Sequence, residues 1–144
     1  MLFSIRLVSH FLIAAFCTYV LASLFHSQFV LHELSALGVD INWPIRLSFS
    51  VDDLLGLSSG YAPVIAIGLL IAFSVMAIIR YKRPATTAWL YPLAGVLAMI
   101  CMQLAMHRIF DISLIAGARS PWGLAAQCLA GLSGGCLFML LRKP

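Results

Sequence analysis

Four long apolar runs, at about residues 5–26, 62–80, 87–109 and 121–141, constrain this chain more than any other feature. The second is the plainest: no charged side chain occurs from Val64 to Ile79. Inside a bilayer there is no water to satisfy backbone N–H and C=O groups, so a segment that crosses must do so as a helix or within a closed barrel. A helix of about 20 apolar residues matches the ~30 Å hydrocarbon thickness. The composition agrees. The chain is 62% hydrophobic and 10% charged, whereas a soluble domain carries about 25% charged residues. The sequence therefore predicts an all-α membrane protein, a single four-transmembrane-helix bundle over residues 1–144, with the lipid bilayer as its first partner.

The charges at the ends of the runs orient that bundle. Arg6, Arg80, Lys82, Arg83, Arg142 and Lys143 fall on one side. Arg46, Arg108, Arg119 and all five acids (Glu33, Asp40, Asp52, Asp53 and Asp111) fall on the other. Cytoplasmic loops are enriched in Lys and Arg, so the expected topology is N-in/C-in: a multi-pass inner-membrane protein with both termini cytoplasmic and residues 27–60 and 111–120 outside. The net charge of +4 is then a topological signal. Nucleic acid is not an expected partner, because no basic face carries interleaved aromatics.

Local signals refine the helices. Val20-Leu21-Ala22 has the small-residue pattern of a signal-peptide cleavage site, but the first run is read as a retained span. Phe29, Val30, Leu31, Leu34 and Leu37 recur at helical spacing and should carry that helix past the membrane surface, with Gly38 as its C-terminal cap. Asn42-Trp43-Pro44 reads as a break. Ser50-Val51-Asp52-Asp53 resembles a capping box, with Ser50 as N-cap of a short interfacial helix from Val51 to about Leu57. Pro63 suits the first turn of the second span, Pro92 should kink the third or mark its start, and Ser120-Pro121 should open the fourth.

The polar residues in or near the spans are few enough to take one at a time. Gln103, His107 and Asp111 are spaced i, i+4, i+8 and share one helix face. Gln127, in the last span, lies at a similar depth. His26 closes the first span on the same side, and Arg119 stands in the second outer loop. Together these six residues are a candidate site for a quinone, a haem or a lipid head group, with Asp111 behind His107 fixing its tautomer. His26 and His107 also stand as the two conceivable axial ligands of a haem. The competing reading has Gln103 and Gln127 hydrogen-bonding across helices as packing devices.

Asp52 and Asp53 are expected to pair with Arg108 and Arg119, because charges near a membrane usually pair. Gly131 and Gly135 form a G-x-x-x-G pair that permits close helix approach, either to Ala14, Thr18 and Ala22 of the first span or to another protein. Cys17, Cys101, Cys128 and Cys136 read as buried small hydrophobes. No metal-ligand spacing and no catalytic motif is present. The reading that follows is a non-enzymatic accessory or interaction subunit of a membrane complex, without a cofactor, partnered by another membrane protein or by a second copy through its last helix.

Overall fold

The computed structural model describes residues 2–82, 89–110 and 120–142. The described residues form five helices: α1 (Leu2–Ala36), α2 (Trp43–Gly56), α3 (Tyr61–Lys82), α4 (Leu90–Phe110) and α5 (Pro121–Leu141). No strand occurs among the described residues. Among the described residues three stretches are long and apolar enough to cross a membrane, Ile5–Ala36, Tyr61–Lys82 and Pro121–Leu141. α4 contributes a shorter apolar stretch, Leu90–Met106. The chain is therefore a small multi-pass membrane protein built as a helical bundle.

Four helices close a square. α5 packs on α4 and α1, and α3 packs on the same two from the opposite corner. The core is correspondingly small-grained where helices approach most closely. Ala14, Thr18, Ala22, Ala94, Ala98, Ala126 and Ala130 are buried. Gly131 and Gly135 both meet α4. A Cβ on Gly131 would fall on the backbone of Gly95, and a Cβ on Gly135 on the backbone of Tyr91 and Pro92. Gly134, one position away, turns to α1 and lies against Thr18 and Ala14. The G-x-x-x-G face thus lies inside the chain, on α4, and its neighbour Gly134 takes up the α1 contact.

One end of the square is filled by aromatic rings. Phe73 of α3 stacks on Phe138 of α5 with centroids 4.6 Å apart. Phe11 of α1 and Tyr91 of α4 meet Phe73 edge-on at 6.4 Å and 5.7 Å. Offset-stacked and edge-to-face pairs add about 0.5–1.5 kcal/mol each beyond the area they bury.

Helix ends follow their local chemistry. α1 stops in a Schellman arrangement: Gly38 has φ +87°, its N–H donates to the Ser35 carbonyl, and the Val39 N–H donates to Leu34. A positive φ there costs glycine nothing. α5 begins as its Ser120-Pro121 pair suggests, with Ser120 Oγ accepting from the Gly123 N–H at 3.0 Å. α4 begins at Leu90, so Pro92 falls in its first turn, where a missing N–H is harmless.

α2 corrects the sequence reading. It begins at Trp43, eight residues before Val51, and Asn42 rather than Ser50 is its N-cap, accepting from the Ile45 N–H at 3.1 Å. Asn42-Trp43-Pro44 therefore starts a helix instead of breaking one: Asn is a strong N-cap and Pro fits the first helical position. Ser50 sits inside α2 and donates to the Arg46 carbonyl at 2.8 Å. The cysteines are also corrected. Cys101 is exposed on the bundle surface, and Cys17, Cys128 and Cys136 are only partly buried.

Candidate functional site

Gln127 is 1% exposed, so both ends of its amide need partners inside the bundle. Its Nε2 donates to the Ala22 carbonyl of α1 at 3.0 Å. Its Oε1 accepts from the Tyr61 hydroxyl of α3 at 2.9 Å. That hydroxyl in turn accepts from Gln103 Nε2 of α4 at 3.4 Å. The bonds run in one direction, Gln103 to Tyr61 to Gln127 to Ala22, so each donor is polarised by the bond it accepts. Four helices contribute one group each, and the network cross-links the whole square at a single level.

A second polar seam joins α2 to α1. α2 runs antiparallel along α1: the Tyr19 hydroxyl donates to the Leu54 carbonyl, while Gln28, further along α1, bonds to Ser50 at 3.2 Å and to Arg46 at 2.9 Å. Between these contacts Ser27 Oγ donates to Asp53 Oδ2 at 2.8 Å. The same carboxylate oxygen lies 3.9 Å from Nε2 of His26. That distance suits an ion pair with protonated histidine but is too long for a hydrogen bond. The outer face of α2 is apolar. Trp43, Leu47, Val51 and Leu55, four residues apart, are all exposed.

The six residues singled out from the sequence are thus divided. Gln103 and Gln127 share the network. His26 belongs to the α1–α2 seam. Asp111 and Arg119 lie outside the described residues, and for His107 only its place on α4 is described. Asp53 faces Ser27 and His26, not Arg108, which is exposed. The expected Asp53–Arg108 pair is corrected on that ground; Arg119, the other expected partner, is among the undescribed residues. Among the described residues no group of three or more His, Cys, Asp or Glu side chains converges as metal ligands would.

Tyr61 is the residue that sequence reasoning passed over. A tyrosine at the start of a span reads as an interface anchor. The usable signal was the pair of glutamines in otherwise apolar helices, each of which demanded a partner at its own depth. Ser27 and Gln28 carry no signal of their own in the sequence, since they lie where α1 runs past the first apolar run and their partners come from α2.

No family model matches the chain, and no curated protein or solved structure is found similar to it.

Proposed function

We propose that this chain is a four-span, non-enzymatic accessory protein of a bacterial-type inner membrane, with both termini cytoplasmic, and that it works by packing beside another membrane protein. The supporting observation is that the two glutamines within the bundle are bonded to groups of the bundle itself. Gln103, Tyr61 and Gln127 form one chain across four helices, so the interior acts as a rigid frame. A quinone, haem or lipid head group placed at that level would have to break the Tyr61–Gln127 or the Gln127–Ala22 bond to use Gln127.

Topology is tested with reporter fusions. A phosphatase that folds only outside the cytoplasm should be active when fused after Asp40 and inactive when fused after Lys143. Activity at Lys143 would remove the four-span, N-in/C-in arrangement.

The role itself is tested by native mass spectrometry of protein released in mild detergent, with an absorption spectrum of the same sample. The expected result is the mass of the chain, alone or with a second protein, and no Soret band. A stoichiometric quinone or other small molecule that is not a phospholipid, or a haem spectrum, would replace the accessory reading with the binding one.

A further inference from the structure

The basic end of the bundle holds a second constellation. Tyr91 is 1% exposed, and two guanidinium groups converge on its ring: Arg80 of α3 at 5.7 Å and Arg142, just past α5, at 5.6 Å from the centroid. Arg142 also donates to the Tyr91 hydroxyl and lies 6.0 Å from the Phe138 centroid. Arg6 and Lys82 occupy the same end. Glu33, Asp40, Asp52 and Asp53 are all at the other, and among the described residues no carboxylate pairs with either arginine. A guanidinium has five N–H donors, so most of this donor capacity has no partner among the described residues. Topology requires only that positive charge lie at this end. It does not require two arginines to be gathered on one buried ring, where their like charges oppose each other.

An apolar groove leads to the same place. It lies between α1 and α3, has a volume of about 180 Å³, is walled by Leu7, Phe11, Leu70 and Ala77, and ends at Arg142. A trough lined by hydrocarbon along its length and by a cation at its mouth matches one kind of molecule in a bilayer. We propose that an anionic phospholipid binds here, with the first part of an acyl chain in the α1–α3 groove and its phosphate held by Arg142 and Arg80. Arginine pairs recognise phosphate through fixed, charge-assisted hydrogen bonds, and basic pockets between membrane helices select anionic head groups. The aromatic cluster beneath holds Arg142 in place before the lipid arrives. The site needs only a membrane-embedded bundle and is independent of the accessory role.

The test uses the full chain in neutral detergent. Phosphatidylglycerol, phosphatidylcholine or inorganic phosphate is titrated in, and lipid retention is read by native mass spectrometry together with the unfolding temperature. Phosphatidylglycerol should be retained and should raise the unfolding temperature, while phosphatidylcholine should do neither. The double variant Arg80→Gln/Arg142→Gln should weaken retention about a hundredfold, roughly a tenfold loss for each charge-assisted contact. Lys82→Gln, which removes a charge at the same end but spares the ring, should change it by less than about threefold. Ala77→Phe leaves both arginines in place and blocks the groove, so it should also abolish retention, and it decides the matter if the double variant does not fold. Equal retention of the two lipids, equal losses in Lys82→Gln and the double variant, full retention by Ala77→Phe, or equal stabilisation by inorganic phosphate would each overturn the proposal.

Discussion

Gly95→Ala and Gly131→Ala should each destabilise the bundle by about 2–3 kcal/mol, the upper part of the range for overpacking a tight core. The size of the effect follows from what the new methyl group meets. At Gly95 it would fall on the Gly131 carbonyl, and at Gly131 its Cβ would come within 2.9 Å of the Gly95 carbonyl carbon. These are backbone atoms of two packed helices, so relief requires α4 and α5 to move apart along their whole crossing. At Gly68 the neighbour is the Met102 side chain, with its sulfur 2.5 Å from the added carbon. A thioether can swing aside, and Gly68→Ala should cost less than about 1 kcal/mol. Gly56 and Gly60 have open space, and alanine there should be neutral or slightly stabilising. Unfolding in mixed micelles titrated with a denaturing detergent reads the series. A Gly95→Ala protein as stable as the Gly60→Ala protein would mean that α4 and α5 do not cross here.

The second large effect is expected at Gln127. Gln127→Ala should cost about 3 kcal/mol, because it opens a cavity and strands the Tyr61 hydroxyl in an apolar interior. Gln127→Leu fills the space and should cost only about 1 kcal/mol, close to the measured range for hydrogen bonds between membrane helices. Tyr61→Phe removes the shared hydroxyl and leaves Gln127 Oε1 without a donor, for about 1–2 kcal/mol. The decisive quantity is the coupling between Tyr61→Phe and Gln127→Leu in a double-mutant cycle. It should exceed about 0.5 kcal/mol, since the two residues share one bond. Strict additivity would show that the bond at 2.9 Å does not hold the helices together.

Much of the fold could be read from the chain because lipid makes simple demands. The last span is an example. Ser120-Pro121 begins α5 and the basic Arg142 follows its end, so punctuation and hydropathy agreed. The extension of α1 past the first apolar run was visible in the spacing of Leu31 and Leu34. The failures came where tertiary contacts decide between signals that look alike locally. Ser50 and Asp53 have the spacing of a capping box, yet they serve Gln28 and Ser27 of the adjacent helix. Asn42-Pro44 suits both a break and a start, and only the antiparallel return of the chain along α1 selects the start. Gly131 and Gly135 announced close packing, but the expected partner, Ala14, Thr18 and Ala22 of α1, is corrected to α4, with Gly134 taking the α1 contact; Gly95 is a lone glycine in an apolar run and carries no motif of its own. In the candidate site, the two glutamines were legible and the tyrosine between them in the network was not. A phenol at a span's edge looks the same from the sequence whether it faces lipid or its own bundle.

α1 contains 35 residues, about 52 Å of helix, against a hydrocarbon layer of ~30 Å. α2 is bound to its upper part by Tyr19, Ser27 and Gln28, and it turns Trp43, Leu47, Val51 and Leu55 outward. In the proposed topology this pair acts as a float. The apolar stripe of α2 can ride only where headgroups meet hydrocarbon, and α1 is fixed to it. The bundle's height is thereby pinned to one membrane surface, so a bilayer that thickens or thins must adjust at the opposite surface, where the arginines around Tyr91 lie.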